Sequence, residues 1–87
     1  EVALPNAFTP NGDGVNDKWN IPHLALTNPN APIYIFDRYG KLLKQMDSRS
    51  VGWNGTFKGI LLPADDYWFR LVLNDTQIVN GHFSLKK

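Results

Sequence analysis

Residues 67–85 have the sequence YWFRLVLNDTQIVNGHFSL, and this stretch decides the fold of the chain. Its first half alternates between two faces, and one face is entirely apolar, with Tyr67, Phe69, Leu71 and Leu73. The turn residues Asn74-Asp75-Thr76 follow, and the second half again gathers its apolar positions on one face, which carries Val79, Gly81, Phe83 and Leu85. A period of two on both sides of a polar turn is typical of a β-hairpin. We therefore predict a long hairpin whose apolar faces lie against the core.

Shorter apolar runs, separated by turns rich in Pro, Gly and Asn, precede this hairpin. They predict strands at residues 1–4, 18–21, 33–37 and 41–46, and a turn-containing segment at 51–57. Residues 5–17 and 22–32 are expected to form loops, and residues 59–63 a connection. Gly40 suits a tight turn that requires a positive φ. The spacing predicts an all-β fold, namely a small Ig-like antiparallel β-sandwich of about six or seven strands.

Length and composition exclude several classes of protein. The 87 residues are the size of one small domain, with a net charge of only +1 and no cysteine. Because the positive charges are spread along the chain and nearly balanced by negative ones, the sequence has no basic patch of the kind that binds nucleic acid. No apolar run approaches the ~18 residues that would predict membrane insertion. The absence of cysteine excludes disulfides and thiol catalysis. Because Met46 is the only methionine, we expect residues 1–87 to be a single domain cut from a larger secreted protein.

Five motifs along the chain make the sequence recognisable. They are PNAFTPNGDGVND at residues 5–17, IYIFDRYG at 33–40, WNGT at 53–56, LPADDYWF at 62–69 and GHFSLK at 81–86. In this order and spacing they resemble the type B C-terminal sorting domain of the type IX secretion system, also called the gliding motility-associated C-terminal domain. The resemblance covers almost the whole chain. One departure is Ala64-Asp65-Asp66, which stands where many members carry Pro-Gly-Thr.

The resemblance implies a function. Domains of this family lie at the C-terminus of large exported proteins of Bacteroidetes, and they direct the cargo from the periplasm across the outer membrane. It implies covalently attached cargo domains upstream, secretion machinery proteins of the outer membrane as partners, and a final location that is secreted or at the cell surface. It implies that the domain acts by being bound and recognised.

Two regions are predicted to be recognised by the secretion machinery. One is the turn of Arg38, Tyr39 and Gly40, because an exposed tip with Arg and Tyr suits a binding hot spot. The alternative is structural: Tyr39 covers a core edge and Arg38 pairs with Asp37 or Asp47. The other region is the chain end, with His82, Phe83, Ser84, Leu85, Lys86 and Lys87. For Gly40 and Phe83 the alternative is that they are needed for folding alone. The partner is also expected to be able to pair with an exposed edge strand, through its free backbone groups.

The loop at residues 11–17 has a partial calcium pattern. Asn11, Asp13 and Asp17 place oxygen ligands at i, i+2 and i+6 around Gly14, which resembles part of an EF-hand loop. Two major ligands of that loop are missing, because Thr9 and Asn20 occupy their positions. The alternative is a structural loop held by Asx turns. Calcium is therefore the one candidate cofactor.

Other chemistry is weakly supported by the sequence. His23 and His82 lack the spacing of a zinc site, and the neighbours Asp65 and Asp66 fit a turn better than a catalytic pair. No nucleophile, base or metal set can be assembled, so an enzyme is not predicted. Trp19 and Trp53 are expected in the core, and Trp68 is expected to be partly exposed. An exposed Trp68 is a further predicted contact for the partner, because its ring can stack on an apolar patch of that protein. The same ring also supports an alternative function as a carbohydrate-binding or adhesive module of a cell-surface protein.

Overall fold

The computed structural model describes residues 7–10, 18–21, 28, 30–50 and 52–86. These residues form seven strands and no helix, and hence no helix that could cross a membrane. The strands are β1 Ala7–Phe8, β2 Pro32–Phe36, β3 Leu42–Asp47, β4 Thr56–Phe57, β5 Ile60–Leu61, β6 Asp65–Asn74 and β7 Gln77–Leu85. The all-β, sandwich-like fold predicted from the sequence is confirmed.

The predicted hairpin is the centre of the main sheet. Strands β6 and β7 pair antiparallel over their whole length, so Tyr67 lies opposite Phe83 and Phe69 opposite Gly81. The sheet has five strands in the order β1-β7-β6-β2-β3, and β2 pairs antiparallel with both β6 and β3. The turn between β2 and β3 has Gly40 at φ 82°, as predicted from its need for a left-handed conformation.

Strand β1 corrects the prediction that residues 5–17 form only a loop. Ala7 and Phe8 pair with Ser84 and Leu85, and this pair of strands is parallel whereas every other pair is antiparallel. The Phe8 side chain is buried, and the Phe8 carbonyl accepts the Lys86 N–H at 2.9 Å. Burial of this ring supplies the reason that a short segment between turn residues joins the sheet. The predicted strand at residues 1–4 lies outside the described residues.

A second small hairpin, β4–β5, was also missed by the sequence analysis. Residues 59–63 were predicted as a connection, but Ile60 and Leu61 pair with Phe57 and Thr56. Lys58 and Gly59 both have a positive φ, of 53° and 81°, which is the geometry of a tight hairpin turn. A Lys-Gly pair is a weaker indicator of such a turn than Asn-Gly, because Lys rarely adopts positive φ.

The core is aromatic and is centred on Phe83. As predicted, Trp19 and Trp53 are both buried, and their backbones form a bridge with reciprocal N–H···O bonds of 2.8 and 2.9 Å. The Phe83 ring is fully buried and stacks on Trp19 with ring centroids 4.2 Å apart. Four further rings lie within 6.4 Å of it, namely Phe8, Trp53, Tyr67 and Phe69. Large rings give this short chain much apolar area to bury without disulfides.

Tyr67 is the polar member of this core. Its phenol donates a hydrogen bond of 2.8 Å to the Pro63 carbonyl. Burial raises the pKa of Tyr67 above its ordinary value of 10.0, and the nearby carboxylates Asp65 and Asp37 raise it further. The folded protein therefore favours the neutral phenol over the phenolate.

We predict that Phe83→Ala lowers the free energy of unfolding by about 3–5 kcal/mol, because it leaves a cavity among five rings. His82→Ala, at the adjacent exposed position, is the matched control and should change it by less than about 0.5 kcal/mol. Urea denaturation followed by tryptophan fluorescence measures both. If Phe83→Ala does not fold, Phe83→Leu should fold with a smaller loss. Equal effects at residues 82 and 83 would contradict this account of the core.

We predict that the domain loses stability as the pH rises through the pKa of folded Tyr67. The pKa is higher in the folded state, so the contribution of the neutral phenol is complete below about pH 10 and declines above it. Urea denaturation at a series of alkaline pH values measures the slope. Tyr67→Phe has no phenol at this position, so its stability should fall less steeply than that of the wild type. A wild-type slope no steeper than that of the variant would contradict the prediction.

Candidate recognition surface

Strand β7 presents its residues alternately to the core and to solvent. Phe83 and Leu85 are buried, whereas His82 and Lys86 are exposed and Ser84 is partly exposed. The side chains of Phe83 and Leu85 therefore point into the core and are not presented at the surface, and a role for them in recognition by a partner stays a prediction. The predicted residues that remain available on this segment are His82, Ser84 and Lys86. Lys87 lies outside the described residues.

Only the end of β7 is covered on both sides. Ser84 and Leu85 pair with β6 on one side and with β1 on the other, whereas residues 77–83 pair with β6 alone among the described residues. Besides that stretch, the edges of the sheet are β1, which is two residues long, and β3. Strand β3 carries the exposed Lys44 and an irregular register against β2, and both features discourage pairing with another strand. A partner that binds the chain end therefore meets side chains on a sheet face more readily than free backbone groups.

The tip of the β2–β3 hairpin is ordered by one carboxylate. The Asp37 side chain accepts hydrogen bonds from the N–H groups of Tyr39 and Lys41, each at 2.9 Å. The Tyr39 side chain is 85% exposed, so it does not cover a core edge. Arg38 pairs with Asp65 at 3.5 Å, not with Asp37 or Asp47 as the structural alternative suggested. The space beside Gly40 is open, because no atom lies within 4 Å of where a Cβ would stand.

The face of the main sheet that points away from the core carries a cluster of rings and polar groups. Trp68 is 40% exposed, whereas Trp19 and Trp53 are each 1% exposed, as expected from the strand alternation. Its neighbours across the strands are His82, with ring centroids 6.3 Å apart, and Phe36. The next row contains Arg70 between Asn80 and Tyr34. We call this cluster the outer face, and its residues are Tyr34, Phe36, Trp68, Arg70, Asn80 and His82.

The outer face adjoins the hairpin tip. A shallow groove between them is lined by Phe36, Arg38, Gly40, Trp68 and Arg70, among others. The predicted tip residues and Trp68 therefore lie along one continuous surface, which also includes His82 beside the Trp68 ring.

The acidic and histidine side chains that the sequence raised as candidates for a metal site or a catalytic pair can be located in part. Among them no group of three or more His, Asp or Glu side chains is placed to hold a metal ion. Asp65 and Asp66 lie at the start of strand β6, not in the predicted turn; Asp65 pairs with Arg38, and Asp66 accepts the Ser84 hydroxyl at 2.7 Å. The calcium candidates Asn11, Asp13 and Asp17, and also His23, lie outside the described residues.

Four residues of the outer face were not selected from the sequence: Tyr34, Phe36, Arg70 and Asn80. Strand alternation alone could have placed Tyr34 and Phe36 opposite Ile33 and Ile35. Their position beside Trp68 and Arg70 depends on β2 pairing with β6, which no local pattern indicates.

Comparison with known proteins identifies the family. A search of curated proteins and a search of solved structures found no match. Residues 2–85 match the family model of the CHU_C Type IX secretion signal domain, which agrees with the resemblance found in the five sequence motifs. This chain therefore belongs to the Type IX secretion signal domain family.

Proposed function

We propose that this chain is a sorting domain, which directs a covalently attached cargo protein across the outer membrane by being bound by the type IX secretion machinery. The match of residues 2–85 to the secretion signal family carries this proposal. The cargo is proposed to lie upstream, to pass through the periplasm, and to end secreted or at the cell surface. The secretion machinery proteins of the outer membrane are the proposed partners.

The arrangement of β7 supports recognition of the folded domain. Phe83 and Leu85 belong to the core, so the same short segment that resembles the family's closing motif also contributes to the packing of the sheet. The outward residues His82, Ser84 and Lys86 then become a fixed pattern on a rigid strand. Side chains held on a sheet bind with a smaller entropic cost than those of a disordered tail, because less freedom is lost on binding.

The hairpin tip is the second proposed contact. Tyr39 and Arg38 are exposed, and both belong to the residue types that dominate binding hot spots. The hydrogen bonds that the Asp37 carboxylate accepts from the Tyr39 and Lys41 N–H groups hold the turn in one conformation before a partner binds. In this proposal Gly40 acts through the turn and not through direct contact.

A carbohydrate-binding or adhesive module is the second candidate function. Trp68, with Phe36 beside it and Arg70 and Asn80 in the next row, places rings and polar groups on one surface. Exposed rings of this kind can stack on sugars. A glycan array with wild type and Trp68→Ala tests this candidate. Binding that is lost in the variant would support it, and no binding by the wild type would exclude it for the glycans on the array.

We predict that the chain, fused to the C-terminus of a periplasmic reporter, directs the reporter to the surface or medium of a bacterium with a type IX system. The reporter without the chain should stay in the periplasm. Immunoblots of cell fractions measure the outcome. Secretion of both proteins to the same extent, or of neither, would contradict the proposed function.

We predict that simultaneous replacement of His82, Ser84 and Lys86 by Ala lowers export of this fusion about tenfold, because all three side chains point away from the core. Its urea denaturation midpoint should stay close to that of the wild type, since exposed substitutions change stability little. This variant tests recognition more specifically than deletion of residues 83–87, because the deletion would also remove Phe83 and Leu85 from the core and destabilise the fold. Lys44→Ala with Gln45→Ala, on strand β3, is the matched control. Unchanged export of the triple variant would remove β7 from the recognition surface.

A further inference from the structure

We propose that the outer face binds an extended acidic segment of a partner protein, with a carboxylate of the segment on Arg70 and an apolar side chain on Trp68. This inference rests on the proposed function, because it names the chemistry of the partner that reads the sorting domain. Four features of the described residues carry it.

The first feature is the unpaired charge of Arg70. Its guanidinium lies on β6, the middle strand of the five-stranded sheet, and makes no ion pair with any residue that the structure describes. Its one hydrogen bond is a long contact of 3.4 Å from Nε to the Asn80 amide oxygen. The guanidinium therefore keeps most of its donors free, and a carboxylate is the group that accepts them two at a time.

The second feature is the apolar surface beside that charge. Trp68 is the same-face neighbour of Arg70 on β6 and stays 40% exposed, between Phe36 and His82. Trp and Arg are the residue types most enriched in hot spots, which cluster at the centre of an interface. A carboxylate alone would leave the ring of Trp68 in water, so the ligand should also carry an apolar or aromatic group.

The third feature is spacing. Residues i and i+2 of a strand are about 7 Å apart on one face. A bound extended chain has the same repeat, so its residues i and i+2 can lie over Trp68 and Arg70 together. This matching period favours a polypeptide over other ligands that carry a carboxylate.

The fourth feature is the distribution of charge along the surface. Arg38 lines the same groove as Arg70 but is paired with Asp65 at 3.5 Å, and the Asp37 carboxylate in the groove accepts two backbone N–H groups of the turn. Arg70 is therefore the cation of the groove that has no ion pair among the described residues. At the other end of the face, Asp66 stands about 13 Å along the strand from Arg70. The negative charge of Asp66 repels an acidic group there, so the carboxylate of the segment is directed toward Arg70.

The test uses isotope-labelled protein and a short peptide, acetylated and amidated, with a phenylalanine and a glutamate two positions apart. NMR titration follows the Trp68 indole N–H and the Arg70 Nε–H. We expect both signals to shift, with a Kd of about 1 mM or tighter. Arg70→Ala should weaken binding about tenfold, and Trp68→Ala by a similar factor. Arg49→Ala removes another exposed arginine, from the turn that follows β3, and should leave the Kd unchanged.

Three outcomes would overturn the proposal. The first is a peptide with lysine in place of glutamate that binds as tightly, because charge would then play no part. The second is a neutral oligosaccharide that shifts these two signals more strongly than the peptide, which would assign the face to a glycan. The third is the absence of any shift at saturating peptide concentrations.

Export of the reporter fusion tests this inference separately from the proposed sorting function on which it rests. Arg70→Ala should reduce export while the free domain keeps its stability. If the wild-type fusion is exported and Arg70→Ala is exported equally well, the inference fails and the proposed function stands. If the wild-type fusion is not exported, the proposed function fails, whatever the peptide does.

Discussion

The packing of five aromatic rings around Phe83 is the interaction on which the rest of the structure depends. Phe83 belongs to the last strand, yet it contacts rings from the first strand, from the two bridged tryptophan segments and from the neighbouring strand β6. Contacts of such large sequence separation cost chain entropy that only extensive burial can offset. The core therefore joins the first and the last of the described strands, and β1 pairs with β7 beside it.

This arrangement separates two tasks within one strand. The inward residues of β7 stabilise the fold, and the outward residues are displayed by it. A partner could recognise such a segment as a flexible tail, but in β7 each side chain points to a defined face of the sheet. The same principle extends across the sheet: Tyr67 and Phe69 face the core, while Trp68 and Arg70 form the outer face. Recognition by a partner then requires the folded domain, but the side chains that contact the partner are different from those that stabilise the fold.

The sequence predicted the parts of the fold that have a local pattern. Alternation identified the β6–β7 hairpin, its two faces and the exposure of Trp68, and the tight turn at Gly40 followed from its need for positive φ. Strand β1 was missed because two residues among turn formers give no period, and their partner strand is at the other end of the chain. Phe83 and Leu85 entered the predicted recognition set because the family's closing motif contains both kinds of residue. Strand alternation had already placed both on the apolar face that was predicted to lie against the core, and their burial confirms that placement.

The central claim is that the end of β7 is held on both sides, by β6 and by β1, and closed by the core. Native-state hydrogen exchange measured by NMR tests this most directly, because it reports the free energy of opening at each amide. The account predicts that the Lys86 N–H, which is bonded to Phe8, and the paired amides of β7 exchange as slowly as those of β6, through global unfolding. Exchange of the Lys86 and β7 amides by local opening, while β2 and β6 stay protected, would contradict it.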